Sequence, residues 1–225
     1  SGTSIDGVDF TYLETNGTNQ VKVISGKSYE YSTNYKLKVK KLIKEIQNNF
    51  SLPLNKMDLL ISRQFLYMTN KFIKEFNIKS SEIDYIGLSG QTIIHKPDDK
   101  ISIQLGSGKF LSQHLKINIV SNFRENDILN GGQGAPIGAF YNKYLSNKFK
   151  NNLLFINLGG IANICYVNQD KLIAFDTGPA NVLIDEFIWM RLKKLLDVNG
   201  SLSFKGKLDQ SLLNDFLNDE YFKKN

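Results

Sequence analysis

Apolar and polar positions alternate near the start of the chain, where Val8, Phe10 and Tyr12 are separated by Asp9 and Thr11, until Asn16-Gly17 breaks the pattern. Val21-Lys22-Val23-Ile24 resumes it, which predicts two strands joined by a turn. A further strand is expected before Ser1, because Ser-Gly-Thr-Ser-Ile-Asp-Gly reads as a loop and a loop leaves an element. The period then lengthens. Leu37, Leu42, Ile43 and Ile46 predict a short amphipathic helix over 36–49. Met57, Leu60, Ile61, Phe65, Met68, Phe72 and Phe76 recur every three or four residues and predict a long helix whose Met and Phe stripe is core packing.

Further on, Ile83–Leu88 reads as a strand entering the loop Ser89-Gly90-Gln91-Thr92, and Ile117–Val120 as a strand entering Ser121–Arg124. Gly131–Pro136 opens a predicted helix that runs to about Ser146. The polar stretch Asn147–Asn152 is the expected boundary, giving a first domain over 1–148 and a second over 149–225. Beyond it Leu153–Asn157, Ile161–Val167 and Leu172–Phe175 read as strands, with a turn at Leu158-Gly159-Gly160. Asp176-Thr177-Gly178-Pro179 is expected to cap a helix carrying Val182, Leu183, Phe187 and Ile188. A strand–glycine loop–strand unit thus stands near the start of each half, which predicts an α/β fold with two related lobes.

Composition narrows the function classes. The 225 residues are 41% hydrophobic and 12% aromatic, a globular composition, and no run of about twenty apolar residues offers a membrane span. The net charge of +6 comes from scattered lysines rather than a basic stripe, and Arg63, Arg124 and Arg191 are the only arginines. That pattern argues for a solvated surface and against nucleic acid. The single cysteine, Cys165, sits in the apolar run Ile164–Val167 and reads as a buried structural thiol. His95 and His114 are too isolated for a zinc site. Leu105-Gly106-Ser107-Gly108-Lys109 lacks the earlier glycine and the following Ser or Thr of a Walker loop.

The candidate chemistry lies in the loops. Gly2, Thr3, Ser4, Ile5, Asp6, Gly7, Val8 and Asp9 combine small residues, hydroxyls and carboxylates in a segment able to surround phosphate oxygens, with Asp6 a carboxylate for Mg²⁺. An ordinary polar turn fits the same residues equally well. Gly159 and Gly160 allow close approach of a phosphate, or equally a bulged hairpin. Asp176 follows an apolar strand at the end where α/β sites form.

Taken in order, Ser-Gly-Thr-Ser-Ile-Asp-Gly-Val-Asp, Ser-Gly-Gln-Thr-Ile-Ile-His, Asn-Phe-Arg, Gly-Gly-Gln-Gly-Ala-Pro, Asn-Leu-Gly-Gly-Ile-Ala-Asn and Phe-Asp-Thr-Gly-Pro-Ala-Asn form a series. Along essentially the whole chain this series resembles the anhydro-N-acetylmuramic acid kinase family. The resemblance implies two actin-like, ribonuclease-H-like lobes around a nucleotide cleft, with the opening strand and part of the second lobe outside this chain. It implies an ATP- and Mg²⁺-dependent kinase that opens a 1,6-anhydro sugar in cell-wall recycling, cytoplasmic and homodimeric. Gly2–Asp9 would form the first phosphate loop and Asn157, Gly159 and Gly160 belong to the second, the two facing across the cleft. Asp176 would be the catalytic base, and Gln91, Arg124 and Gln133 would line the sugar pocket. Ser89, Asn122 and Ala180 stand where the family usually has His, Asp and Gly, which bears on substrate choice. A kinase of the same superfamily acting on another sugar, a nucleotide-gated interaction protein and an inactive fragment are the alternatives.

Overall fold

The opening alternation becomes a hairpin because of its turn. The computed structural model describes residues 5–48, 54–147, 149, 152–168 and 171–223, and in it β1 (Gly7–Thr15) pairs antiparallel with β2 (Val21–Glu30). Asn16 Oδ1 accepts the N–H groups of Thr18, Asn19 and Gln20 at 3.0–3.1 Å, and Gly17 takes a φ of 75° that glycine enters without strain. Gly7 is required by packing, since a Cβ there would lie 2.3 Å from the Tyr29 carbonyl oxygen.

The helical periods form α1 (Thr33–Asn48) and α2 (Asn55–Glu75). Helix α2 buries Met57, Ile61, Phe65, Met68 and Phe72 along one stripe, and these pack with Val8, Tyr29, Ile93, Leu105 and Leu111 into the main core.

The next segment departs from expectation. After β3 (Tyr85–Gly87), Gln91 and Thr92 do not lie in a loop: they begin β4 (Gln91–Lys96), which pairs antiparallel with β5 (Ile101–Leu105). The rejected nucleotide-loop look-alike instead starts α3 (Gly108–Leu115), capped by Ser107 Oγ, which accepts the Phe110 N–H at 3.1 Å. Helix α2 holds this turn, with Asp58 Oδ1 accepting from Gly106 N and Ser62 Oγ accepting from Ser107 N, each at 2.7 Å. Strand β6 (Asn118–Val120) then pairs parallel with β3. Helix α4 (Glu125–Leu129) and α5 (Ala139–Ser146) follow, so the Gly131–Pro136 segment stays a loop before its helix.

Strands β7 (Leu153–Leu158), β8 (Ile161–Asn168) and β9 (Lys171–Pro179) form an antiparallel meander in a sheet distinct from that of β1. Helix α5 packs on it through Ala139, against Cys165, Val167, Phe155, Leu172 and Ala174. Cys165 is buried, as its apolar run predicts. Asp176 does not cap the following helix: β9 continues through it to Pro179, and the N-cap position of α6 (Asn181–Leu192) is Ala180, which makes no side-chain capping bond.

By contact the chain divides into two compact units, 1–179 and 180–225. The second holds α6 and α7 (Gln210–Leu217), the latter capped by Asp209. Between them Asp197 gathers the N–H groups of Leu202 and Ser203, each at 2.9 Å, and these bonds hold its carboxyl down at about 2. Among the described residues no helix is long and apolar enough to cross a membrane.

In the first unit the strands make four separate sheets among the described residues, three of them of two strands. A cavity of about 980 Å³ separates two of these pairs. It is lined by Val8–Thr15 along β1, by Glu82–Gly90 around β3, and by Phe65, Thr69 and Phe72 of α2.

Candidate active site

The motifs converge on the loop between α4 and α5. Arg124, just before α4, donates from Nη1 to the Gly134 carbonyl at 2.7 Å. Gly134 N donates to Asp127 Oδ2 at 2.7 Å, and Gly132 N to the Asp127 carbonyl at 2.8 Å. Gly134 has a φ of 64°, and a Cβ there would meet the Ile128 side chain at 2.8 Å, so this close approach to α4 needs glycine. The clamp fixes a loop that contains the cis Ala135–Pro136 peptide and carries the exposed Gln133.

Two side chains from other sheets are in electrostatic reach of this loop. The Gln133 backbone and the charges of Arg124 and Asp176 of β9 bear on the His95 imidazole of β4, and Asp176 also bears on Arg124. Burial pushes the His95 imidazole below its ordinary value and the Arg124 charge adds to this, while Asp176 and the Gln133 backbone pull it back. Burial likewise lowers the Arg124 guanidinium, and Asp176 opposes that. Arg124 Nε is buried with no hydrogen-bond partner, a costly state that a ligand oxygen would relieve.

Asp176 owes its placement to an irregularity in its strand. Asn163 pairs with Asp176 while Ala162 pairs with Gly178, so Thr177 is an extra residue. A bulge of this kind re-aims neighbouring side chains. Asp176 is exposed, a carboxylate open to a substrate beside a cation.

The other expected site residues are more dispersed. Gln91 is only 2% exposed and donates to the Thr92 carbonyl at 3.4 Å, and the register shift between Thr92 and Ile94 separates it from His95. Gly2, Thr3 and Ser4 lie outside the described residues. The side chains of Ile5 and Val8 belong to the core, so only their backbones are available to a phosphate. Asp6 and Asp9 are exposed: the Asp6 carbonyl accepts from Tyr31 N at 2.9 Å, and the Asp9 carboxylate accepts from Ser28 Oγ. Asn157 is exposed at the end of β7, paired with Asn163, and Gly159 and Gly160 form the turn into β8. The large cavity beside β1 touches none of His95, Arg124, Gln133 or Asp176, so its volume marks no part of this cluster.

Sequence reasoning weighed His95 only as a zinc ligand and missed it here. Its signal was a polar, aromatic-sized residue directly after the apolar pair Ile93-Ile94. Of the substituted motif positions, Asn122 adopts a φ of 61°, a left-handed conformation that asparagine tolerates better than most residues.

Comparison with known proteins gives a family for the chain. The family model of anhydro-N-acetylmuramic acid kinase matches residues 1–225. A Pelagibacter ubique anhydro-N-acetylmuramic acid kinase is 38% identical over 226 residues, covering 95% of this chain and 59% of that protein. The Brucella canis protein of the same name is 32% identical over 235 residues, and that of Rhizobium johnstonii 30% over 234, each covering 100% of this chain and 63% of the relative. The chain therefore spans about three fifths of the length of these relatives. With its motif series and the match over all its residues, the chain belongs to the anhydro-N-acetylmuramic acid kinase family.

Proposed function

We propose that this chain supplies the sugar-binding and proton-accepting part of a kinase converting 1,6-anhydro-N-acetylmuramic acid, water and ATP to N-acetylmuramic acid 6-phosphate and ADP. In the anhydro sugar O6 is bonded to C1 and is not a free hydroxyl. Water forms a bond to C1 as the C1–O6 bond breaks, and O6 takes the γ-phosphoryl group. Asp176 accepts the proton of the attacking water, a contribution of about 10²–10⁴-fold. Arg124 offers its unpartnered Nε and Gln133 its exposed amide to sugar oxygens. Gln91, buried as it is, orients the pocket wall rather than reaching the sugar. The observation that carries this reading is the electrostatic proximity of Asp176 to Arg124 and His95, from three motifs far apart in sequence.

On the nucleotide side, Gly2–Asp9 and the turn after Asn157 form two phosphate loops on two lobes, divided near residue 148. Asp6 fits Mg²⁺ as an exposed carboxylate, because that ion commonly takes one or two carboxylates and completes its shell with water and phosphates. Among the described residues no cluster of three or more His, Cys, Asp or Glu side chains exists. Mg²⁺ supplies charge neutralisation at the phosphoryl group. We place the protein in the cytoplasm, as a homodimer that returns cell-wall sugar to metabolism.

The test is substrate choice. The protein, as its gene encodes it in full, is assayed for ADP release with 1,6-anhydro-N-acetylmuramic acid and with free N-acetylmuramic acid and N-acetylglucosamine. Turnover confined to the anhydro sugar is expected. Phosphorylation of a free 6-hydroxyl with none of the anhydro sugar would sink the proposal.

A further inference from the structure

We propose that Asp127 is a positioning residue for the sugar side of the site: its carboxylate spans the arc from Gly132 to Gly134 and so fixes where the Gln133 side chain is presented. The inference rests on the reading of Gln133 and Arg124 as sugar-binding residues.

The argument starts with a glycine that its own backbone does not require. Gly131 and Gly134 have φ angles of 88° and 64°, but Gly132 has no positive φ, so other residues could adopt its conformation. What leaves no room for a side chain there is Asp127. A Cβ on Gly132 would lie 2.5 Å from Asp127 Oδ1 and closer still to Oδ2. The carboxylate is kept in that place by its bond to the next glycine but one, since Gly134 N donates to Oδ2 at 2.7 Å. The Asp127 carbonyl adds a third tie, accepting from Gly132 N at 2.8 Å.

Gln133 stands exposed between these contacts, with the carboxylate packed against the residue before it and bonded to the residue after it. The Gly134 N–H belongs to the peptide that leaves Gln133. The Gly134 carbonyl, which accepts from Arg124 Nη1 at 2.7 Å, belongs to the following peptide. Asp127 and Arg124 are three residues apart and thus neighbours on one face of the chain entering α4, from which they hold two successive peptide planes. With Nη1 engaged on Gly134, a shift of that residue moves the guanidinium and its unpartnered Nε together with the Gln133 amide. Asp127 therefore acts through Gln133 and Arg124, needs no contact with the sugar, and takes no part in the proton transfer assigned to Asp176.

Two substitutions separate the acceptor from the rest of the side chain. Asp127→Asn retains an oxygen able to accept from Gly134 N, whereas Asp127→Ala has none. In the protein encoded in full, Asp127→Ala should raise the KM for the anhydro sugar roughly five- to tenfold, the scale of one hydrogen bond, and Asp127→Asn should stay within about twofold of wild type. The kcat should change little in either. Gly132→Ala reaches the same contact from the other side: it drives the carboxylate away from Gly134 and should raise the KM as Asp127→Ala does. Combined with Asp127→Ala it should add little, because the contact is already gone. Equal KM values for the alanine and asparagine variants, a fall in kcat at constant KM, or additive effects in the double variant would overturn the proposal. Exchange of the Gly134 amide without sugar is the independent readout, expected to be faster in Asp127→Ala than in Asp127→Asn. Equal rates overturn the role of Asp127 whatever the substrate proves to be. If the wild-type protein is inactive on the anhydro sugar, the substrate reading falls, and the exchange comparison by itself upholds or overturns the hold of Asp127 on the loop.

Discussion

The β7–β8–β9 meander and the β1/β3 region solve strand pairing in opposite ways. In the meander each strand pairs with the next in sequence, and β8 is paired along both edges. Around β3 the pairing is parallel and non-local, joining residues 85–87 to 118–120, and the other edges of β1 and β3 face the 980 Å³ cavity. A hairpin closes its own hydrogen bonds, whereas a parallel pair depends on strands delivered from elsewhere. Two-stranded sheets are marginal alone, so β1–β2 and β3–β6 draw their stability from α2 and the main core. The small meander needs only α5, and its bulged edge is free to carry chemistry. Stability is concentrated in one region and the candidate base in the other.

The sharpest way to break that division is Asp176→Asn. Since Asp176 is exposed within β9 and caps no helix, the substitution should leave the melting temperature unchanged. Turnover should fall by about 10²–10⁴-fold, because the amide keeps the size but not the basicity. Kinetics beside a thermal melt decide it. A large loss of stability with near wild-type turnover would make Asp176 structural and erase the contrast between the two regions.

The converse substitution removes core and spares chemistry. Phe65 is 2% exposed on α2, so Phe65→Ala should cost about 3–5 kcal/mol in denaturant melts. Val167 is equally buried, but it packs in the small cluster under α5. By loss of apolar area Val167→Ala should cost about 1.5 kcal/mol. Similar losses at the two positions would mean the meander is as well anchored as the main core.

What was legible in the sequence follows the same line. The hairpin at Asn16-Gly17, the stripe from Met57 to Phe72 and the three strands of the meander all carry their period in contiguous residues. Strand β4 was hidden because the bulge beside Ile93 leaves Ile93 and Ile94 both buried, which erases alternation, and a Gly-Gln-Thr opening reads as a loop. Helix α3 was hidden by Gly106-Ser107-Gly108, although Ser107 is a good N-cap. Asp176, Arg124 and Gln133 were picked as candidates from their motifs. His95 was not, because its partner Ser102 is brought to it only by the β4–β5 pairing. The capping role expected of Asp176 failed because Thr177 is taken up as a bulge, which lets β9 run on to Pro179.

The finest test of the comparison is amide exchange on the 225-residue chain itself. A backbone N–H bonded between two strands exchanges only when local structure opens, whereas one on an unpaired edge is held only by its surroundings. Strand β8 has partners on both sides, so its amides should be the slowest of the meander. Strand β3 has one partner, three residues long, and Tyr85 in it is 67% exposed. Its cavity-facing amides should exchange about tenfold faster than those of β8, on the scale of one net hydrogen bond. Strand β1 should split, with the N–H groups bonded to β2 slow and the alternate ones facing the cavity fast, since successive backbone groups of a strand point to opposite neighbours. That two-residue period is the specific signature. Uniform protection along β1, or a β3 as slow as β8, would mean the cavity edges are already satisfied.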